Sequence, residues 1–282
     1  MNIKIITDSA SDIELDFAKQ NDITILPVEI TFEDNGYYDG LNITKDEFYK
    51  KLMNCKTLPK TSLINQMRWQ EVFSKKASDT NTTYLIMPMS KELSGSYNAA
   101  KLALAEIGNP KNLVLLDTNQ ITITQGAIII ETIKLIKTCT KLEEVLEKVN
   151  YLISHCVLLA YVDDLKYLKM GGRLNSSAAI IGSMLQIKPI LTFTDGKIDV
   201  VAKAIGSTKA CKTIIEKTLK NIDTNYPIYF GRTYYTEPLE TFKKLCEKQL
   251  PLTGNEQTLV LGATVGTHIG PSAVGIVYFK KD

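Results

Sequence analysis

Hydrophobic positions along the first half of the chain alternate between two rhythms. Short apolar runs at 3–7, 23–28, 83–87 and 113–117 have the length and composition of buried strands. Between them apolar residues recur at helical spacing, in a helix ending near 20 and over 45–54, 63–76, 96–106, 124–139 and 143–154. The boundaries carry chemical punctuation. Thr44 and Glu47 have capping-box spacing, as do Thr140 and Glu143. Asp8-Ser9-Ala10-Ser11-Asp12 supplies cap residues after the first strand, and Asp34-Asn35-Gly36 marks a hairpin turn within 29–38. Strands alternating with helices predict parallel βα units, doubly wound, with ligands at the carboxyl ends of the strands.

The rhythm changes after His155. A strand at 157–162, a short helix at 163–170, Gly171-Gly172-Arg173 and a small-residue helix at 176–186 come first. Strands at 188–194 and 197–204 then flank Asp195-Gly196, the strongest hairpin signal in the chain. A helix at 207–220, a strand at 227–232, a helix at 237–249 and strands at 258–265 and 273–279 follow. The expected fold class is therefore α/β: an N-terminal doubly wound βα domain at 1–154, then a C-terminal α+β domain at 155–282 with a largely antiparallel sheet. No low-complexity linker separates the two, so tight packing is expected.

Composition acts mainly by exclusion. A chain of 282 residues exceeds the usual single core, in line with two domains. The net charge is +2 and the lysines alternate with acids, as at 141–148, which gives no case for nucleic acid. No apolar run approaches the ~20 residues that span a bilayer, and residues 1–8 lack a signal-peptide core. The five cysteines (Cys55, Cys139, Cys156, Cys211, Cys246) are widely spaced, without a C-x-x-C pair. Neither a disulfide framework nor a zinc site is expected, and a reducing cytoplasm is the simplest home. With His155 and His268 the only histidines, a histidine-rich metal centre is excluded while a carboxylate-only site stays open; no cofactor is expected.

Candidate chemistry gathers in a few loops. The turn from strand 83–87 into helix 96–106 holds Ser90, Ser94, Gly95 and Ser96. Unpaired N–H groups and the helix dipole make such a turn an anion seat, and the glycine admits a ligand to the backbone. The plainer alternative is that Ser94 or Ser96 caps the helix. Gly266-Thr267-His268-Ile269-Gly270-Pro271-Ser272 reads as a strand-to-strand loop presenting His268 as a donor or proton-sensitive partner for a ligand carboxylate. His155 reads as structural. Ser62 is a plausible cap for the helix at 63–76, with Thr61 free to point at a ligand. Two glycines leave Arg173 room to reach an anion; a salt bridge across the domain interface is the alternative. Ser94 or Ser96 with His268 as base would make a serine hydrolase or acyltransferase, although Glu92 stands where a G-x-S-x-G elbow needs glycine. A phosphate or nucleotide binder fits the turn but finds no P-loop.

Six motifs in order resemble the DegV family, the fatty-acid-binding subunits of the bacterial fatty acid kinase system. They are Thr7-Asp8-Ser9-Ala10-Ser11-Asp12, Thr61-Ser62, Leu93-Ser94-Gly95-Ser96-Tyr97, Leu165-Lys166-Tyr167-Leu168-Lys169-x-Gly171-Gly172-Arg173, Gly182-x-x-Leu185-x-Ile187-Lys188-Pro189-Ile190-Leu191, and Gly266-Thr267-His268-Ile269-Gly270-Pro271. One departure is visible: Leu63-Ile64-Asn65 follows Thr61-Ser62, where the family often has Gln and Pro. The resemblance implies a non-catalytic protein holding one long-chain fatty acid at the domain interface. Thr61, Ser62, Ser94, Gly95 and His268 would hold the carboxylate, and Arg173 would face a partner or a substrate phosphate. The implied partner is a separate ATP-dependent fatty acid kinase subunit that forms an acyl phosphate for phospholipid synthesis. This leaves room for passing contact with a membrane surface.

Overall fold

The computed structural model describes residues 2–33, 35–163, 165–173 and 187–282. Strand β1 (Ile3–Asp8) is buried on both faces, as a central parallel strand must be. A short 3-10 turn (Ser9–Ser11) and α1 (Leu15–Gln20) lead to β2 (Thr24–Leu26), which pairs with β1 in parallel. An antiparallel sheet of three short strands follows: β3 (Glu29–Phe32), β4 (Asn35–Tyr38) and, after α2 (Lys45–Asn54), β5 (Lys60–Ser62). Helix α2 has the full capping box between Thr44 and Glu47.

After α3 (Gln66–Ala77), strand β6 (Thr83–Ile86) joins the other side of β1. Past α4 (Ser96–Glu106) comes β7 (Leu113–Leu115), completing the parallel order β2-β1-β6-β7. Helix α5 (Thr122–Thr138) is buried without interruption from Thr122 to Ile133, because it is clasped between two sheets. Helix α6 (Leu142–His155) returns along the surface with a single apolar face.

The second sheet is built from β8 (Cys156–Val162), β9 (Ile187–Thr194), β10 (Lys197–Ile205), β11 (Tyr229–Arg232), β12 (Gln257–Val260) and β13 (Ala273–Phe279). Its order is β10-β9-β8-β13-β11-β12, antiparallel except for β11 with β12. Alternate residues of β13 divide between two cores. Val277 and Phe279 join the core shared with β1, β6 and α5, whereas Val274, Ile276 and Tyr278 face α8 (Ser207–Leu219) and α9 (Glu237–Cys246). The mixed α/β class with one parallel and one largely antiparallel sheet is as the sequence predicts.

Several local expectations give way. Ser62 is not a helix cap but the last residue of β5, paired with Glu29; Asn65 caps α3 instead, accepting from Arg68 N–H at 3.0 Å. Thr140 does not open α6, whose N-cap is Lys141 without a side-chain bond. The short helix expected from 163 is α7 (Lys166–Met170). The strand expected over 258–265 stops at Val260, and the loop drawn around His268 is helix α10 (Ala263–Ile269). The helix expected at 176–186, with the motif residues Gly182 and Leu185, lies outside the described residues, as does Asp34 of the hairpin turn.

Candidate functional site

A cavity of about 260 Å³ opens between the two halves. Polar groups reach it from four elements: Thr61 and Ser62 from β5, Ser94 and Gly95 from the turn before α4, His268 from α10, and Arg173 just beyond α7. Among the described lining residues Arg173 is the one formal charge; the walls are apolar, with Leu93, Ile123, Leu158, Phe193 and Ile198 prominent.

Strand register explains the depth. Leu191, Ala160, Gly275 and Gly231 pair in one row across β9, β8, β13 and β11, and all four line the cavity. Three small residues in succession leave a trench where larger side chains would fill the sheet face. At one end Ile123 closes over Gly231, where an added Cβ would fall 2.3 Å from the isoleucine Cδ1. Sequence reasoning missed this row; its signal was the small residue recurring within otherwise apolar strands.

His268 Nε2 and Thr61 Oγ1 share a hydrogen bond of 2.9 Å across 207 residues. The other ring nitrogen, Nδ1, is buried without a partner, and a Cβ on Gly171 would lie 2.2 Å from it. Gly171 thus makes room for the imidazole, while the guanidinium folds back so that Arg173 Nη1 donates to Gly171 O at 2.5 Å. Burial, and then the charge of Arg173, hold the His268 pKa down at about 4. The imidazole is therefore neutral at pH 7, not poised near neutrality as its ordinary value suggests.

Of the three serines in the turn, only Ser94 faces the cavity. Its Oγ accepts from Ser96 N–H at 3.2 Å, while Gly95 occupies the N-cap. Ser90 Oγ instead donates to Gly196 O at 2.9 Å in the second half of the chain. Ser96 Oγ is fully buried and unpartnered. His155 lies elsewhere, stacked on Tyr151 and bonded to Asp282 at 2.9 Å.

The short helix carrying His268 is rich in β-branched residues and glycine, a poor helix sequence. Two acids from the first half hold its start. Asp39 accepts from Ala263 N–H at 3.0 Å, Thr264 N–H at 2.8 Å and the Thr264 hydroxyl, and Asp12 accepts from Gly262 N–H at 2.7 Å. Burial, aided by the nearby Asp39 carboxylate, pushes the Asp12 pKa up to about 7. Asp8, also buried, rises to about 6 while accepting from Met89 N–H. Asp8 and Asp12 were legible only as cap residues and Asp39 not at all; what they hold is set by tertiary structure.

The geometry does not assemble a serine hydrolase. His268 bonds Thr61 rather than Ser94 or Ser96, and among the described residues no carboxylate orients its second nitrogen. Among the described residues, no group of three or more His, Cys, Asp or Glu side chains is arranged to hold a metal ion, and no helix is long and apolar enough to cross a membrane.

A parallel sheet and a largely antiparallel sheet flanking a mainly apolar cavity, into which hydroxyls, a glycine backbone and one imidazole project, define a recognisable class of architecture. The chain belongs to the DegV family, whose model it matches over residues 2–281. A DegV domain-containing protein of Caldanaerobacter subterraneus is 30% identical over 282 residues, covering 99% of each chain. Among solved structures, a fatty-acid-binding DegV family protein from Thermus thermophilus superposes with a TM-score of 0.89 at 25% identity, covering all of both chains. A stearic acid-binding protein from Eubacterium ventriosum gives 0.88 at 26% identity, over 100% of this chain and 99% of that one.

Proposed function

We propose that this protein binds one long-chain fatty acid and presents its carboxylate to a separate ATP-dependent kinase. The observation that carries the reading is the single cavity combining an apolar trench with Thr61, Ser62, Ser94, the Gly95 backbone and His268. Each buried methylene contributes ~0.8 kcal/mol, so a tail of about 14 methylenes gains on the order of 10 kcal/mol before ordering and desolvation costs. Those hydroxyls and the N–H satisfy the carboxylate without locking it into a salt bridge. One of its oxygens can then attack the γ-phosphorus of ATP on the partner, giving acyl phosphate and ADP. Arg173, exposed beside the mouth, is the group we assign to the partner or the transferring phosphate.

The protein itself supplies no catalytic group in this reading, and a cytoplasmic setting suits its five free thiols. Denaturing organic extraction of the purified protein, followed by mass spectrometry, tests it directly. Near-stoichiometric fatty acid is the expected result, and an extract without fatty acid overturns it. For the kinase step, Thr61→Ala with Ser94→Ala should depress ATP-dependent phosphorylation of the bound acid; undiminished phosphorylation refutes the assigned contacts.

A further inference from the structure

The β9–β10 hairpin forms one edge of the second sheet and is held by polar contacts at its base and at its tip, with Phe193, Ile198 and Val200 packed inward between them. Its strands pair with each other in eight registered positions, but β9 meets β8 in only two, Ala160 with Leu191 and Tyr161 with Ile190. Lys188 and Asp163, 2.8 Å apart, reinforce that base. Toward the tip no further β8–β9 pair is formed among the described residues, and Leu158, Thr192, Phe193 and Ile198 there all line the cavity. Strand β10 is an edge strand and carries an irregularity between Val200 and Ala202.

The far tip, Asp195-Gly196, docks on the first half of the chain. Ser90 Oγ donates to Gly196 O at 2.9 Å, and Lys197 pairs with Glu92 at 3.2 Å. A Cβ on Gly196 would lie 2.5 Å from Ser90 Oγ and 3.5 Å from Asn119 Oδ1, so the tip sits flush against both. The docking residues Ser90 and Glu92 belong to the same turn as Ser94 and Gly95.

We propose that this hairpin is a strap over the channel, hinged at the Ala160–Leu191 and Tyr161–Ile190 pairs and latched by Ser90 and Glu92. Lifting its tip is the step through which an acyl chain enters and leaves. The strap joins the acyl wall (Phe193, Ile198) to the carboxylate turn, so one contact set closes both ends of the ligand. This inference rests on the fatty-acid reading above.

The test is the rate at which bound cis-parinaric acid is displaced by excess oleate, read by fluorescence. Glu92→Lys turns an attraction into a repulsion at a half-exposed pair and should speed release about two- to fivefold. Adding Lys197→Glu restores the attraction with the charges exchanged, and should bring the rate back. Ser90→Cys with Gly196→Cys places two Cβ atoms within about 4 Å, inside disulfide range, at the cost of strain because Gly196 has a φ of +75°. The reduced pair is therefore the reference for the oxidised one. Oxidation of that pair should slow release on the order of tenfold, and reductant should reverse it. Equal rates in the wild type and Glu92→Lys, with equal rates in the reduced and oxidised pair, overturn the strap.

Hydrogen exchange gives a readout independent of lipid. Glu92→Lys should speed exchange of amides 194–198 while those of β8 and β13 keep their protection. Unchanged exchange at the tip, or equal loss throughout the sheet, overturns the strap. A wild type that neither binds cis-parinaric acid nor yields fatty acid on extraction refutes the fatty-acid reading instead, and the exchange experiment then decides the strap by itself.

Discussion

Thr61 and His268 meet at 2.9 Å although 207 residues separate them, and through them the three-stranded sheet touches the helix before the last described strand. Among the described residues, neither side chain has another hydrogen-bond partner at this point. Replacing Thr61 by Val keeps the shape and removes the hydroxyl, leaving both ring nitrogens of His268 unpartnered. A hydrogen bond to a charged group is worth about 1.5–3 kcal/mol, so fatty-acid affinity should fall at least about tenfold, and Thr61→Ser should recover most of it. Equilibrium titration with a fluorescent fatty acid checks this; a Thr61→Val protein with wild-type affinity contradicts it.

Gly171 sets the place of the imidazole. A methyl there would lie 2.2 Å from His268 Nδ1, so Gly171→Ala must displace the ring or the α7 end. The expected outcome is weaker ligand binding together with a changed imidazole environment, measurable as a shift of the His268 ring resonances by NMR. Unmoved resonances would show that the contact yields.

The trench makes a prediction about chain length. Ala160 lies midway in the row between Leu191 and Gly275. Ala160→Leu fills that row with a branched side chain, so the mass spectrum of co-purified lipid should move to shorter acyl chains or to an empty protein. An unchanged acyl profile would place the tail elsewhere.

Stability should vary with pH in a direction set mainly by Asp12. Its folded pKa of about 7 stands above the ordinary 3.8, as does that of Asp8 at about 6. A raised acid binds its proton more tightly when folded, so its contribution is present at low pH and lost as pH rises through 6–7. His268 acts oppositely, since its folded pKa of about 4 lies below 6.5 and costs stability as pH falls between them. Most of the acids' loss falls between about pH 4 and 7. From pH 6.5 to 8, clear of His268, only the tail of Asp12 is left, so Tm should decline slightly and level off above about 7. Asp12→Asn retains an acceptor for Gly262 N–H and gains a donor toward Thr122 Oγ1, which now donates to Asp12 at 2.6 Å. Its Tm should be flatter across this range and, at pH 8, equal to or above the wild type by thermal melts. A parallel decline in both proteins would assign the effect elsewhere.

What could be read from local pattern was the βα alternation, the capping box at Thr44 and the Asp195-Gly196 hairpin, which rest on short-range spacing. The grouping of Thr61, Ser94 and His268 into one site came only from the resemblance to the DegV family. Helix α10 could not be read, because Ala263-Thr264-Val265-Gly266-Thr267-His268-Ile269 has strand-like composition and its helical start is held by Asp12 and Asp39. Strand β5 is three residues long, too short for any periodicity, so Ser62 passed for a helix cap. The three serines of the 90–96 turn look equivalent along the chain. Only the packing of the second half separates them, taking Ser90 for Gly196 and leaving Ser94 for the cavity.

The hold of Asp39 on Ala263, across 224 residues, also orders events in time. Helix α10 and strand β13 are made late in synthesis, yet β13 lies inside the second sheet, between β8 and β11. Contacts this distant in sequence form slowly and late. A nascent chain halted on the ribosome before residue 263 holds the residues of the parallel sheet but has neither His268 nor the Gly275 part of the trench. In the proposed reading, occupancy of the site is therefore a mark of a chain in which α10 and β13 have already joined the earlier strands.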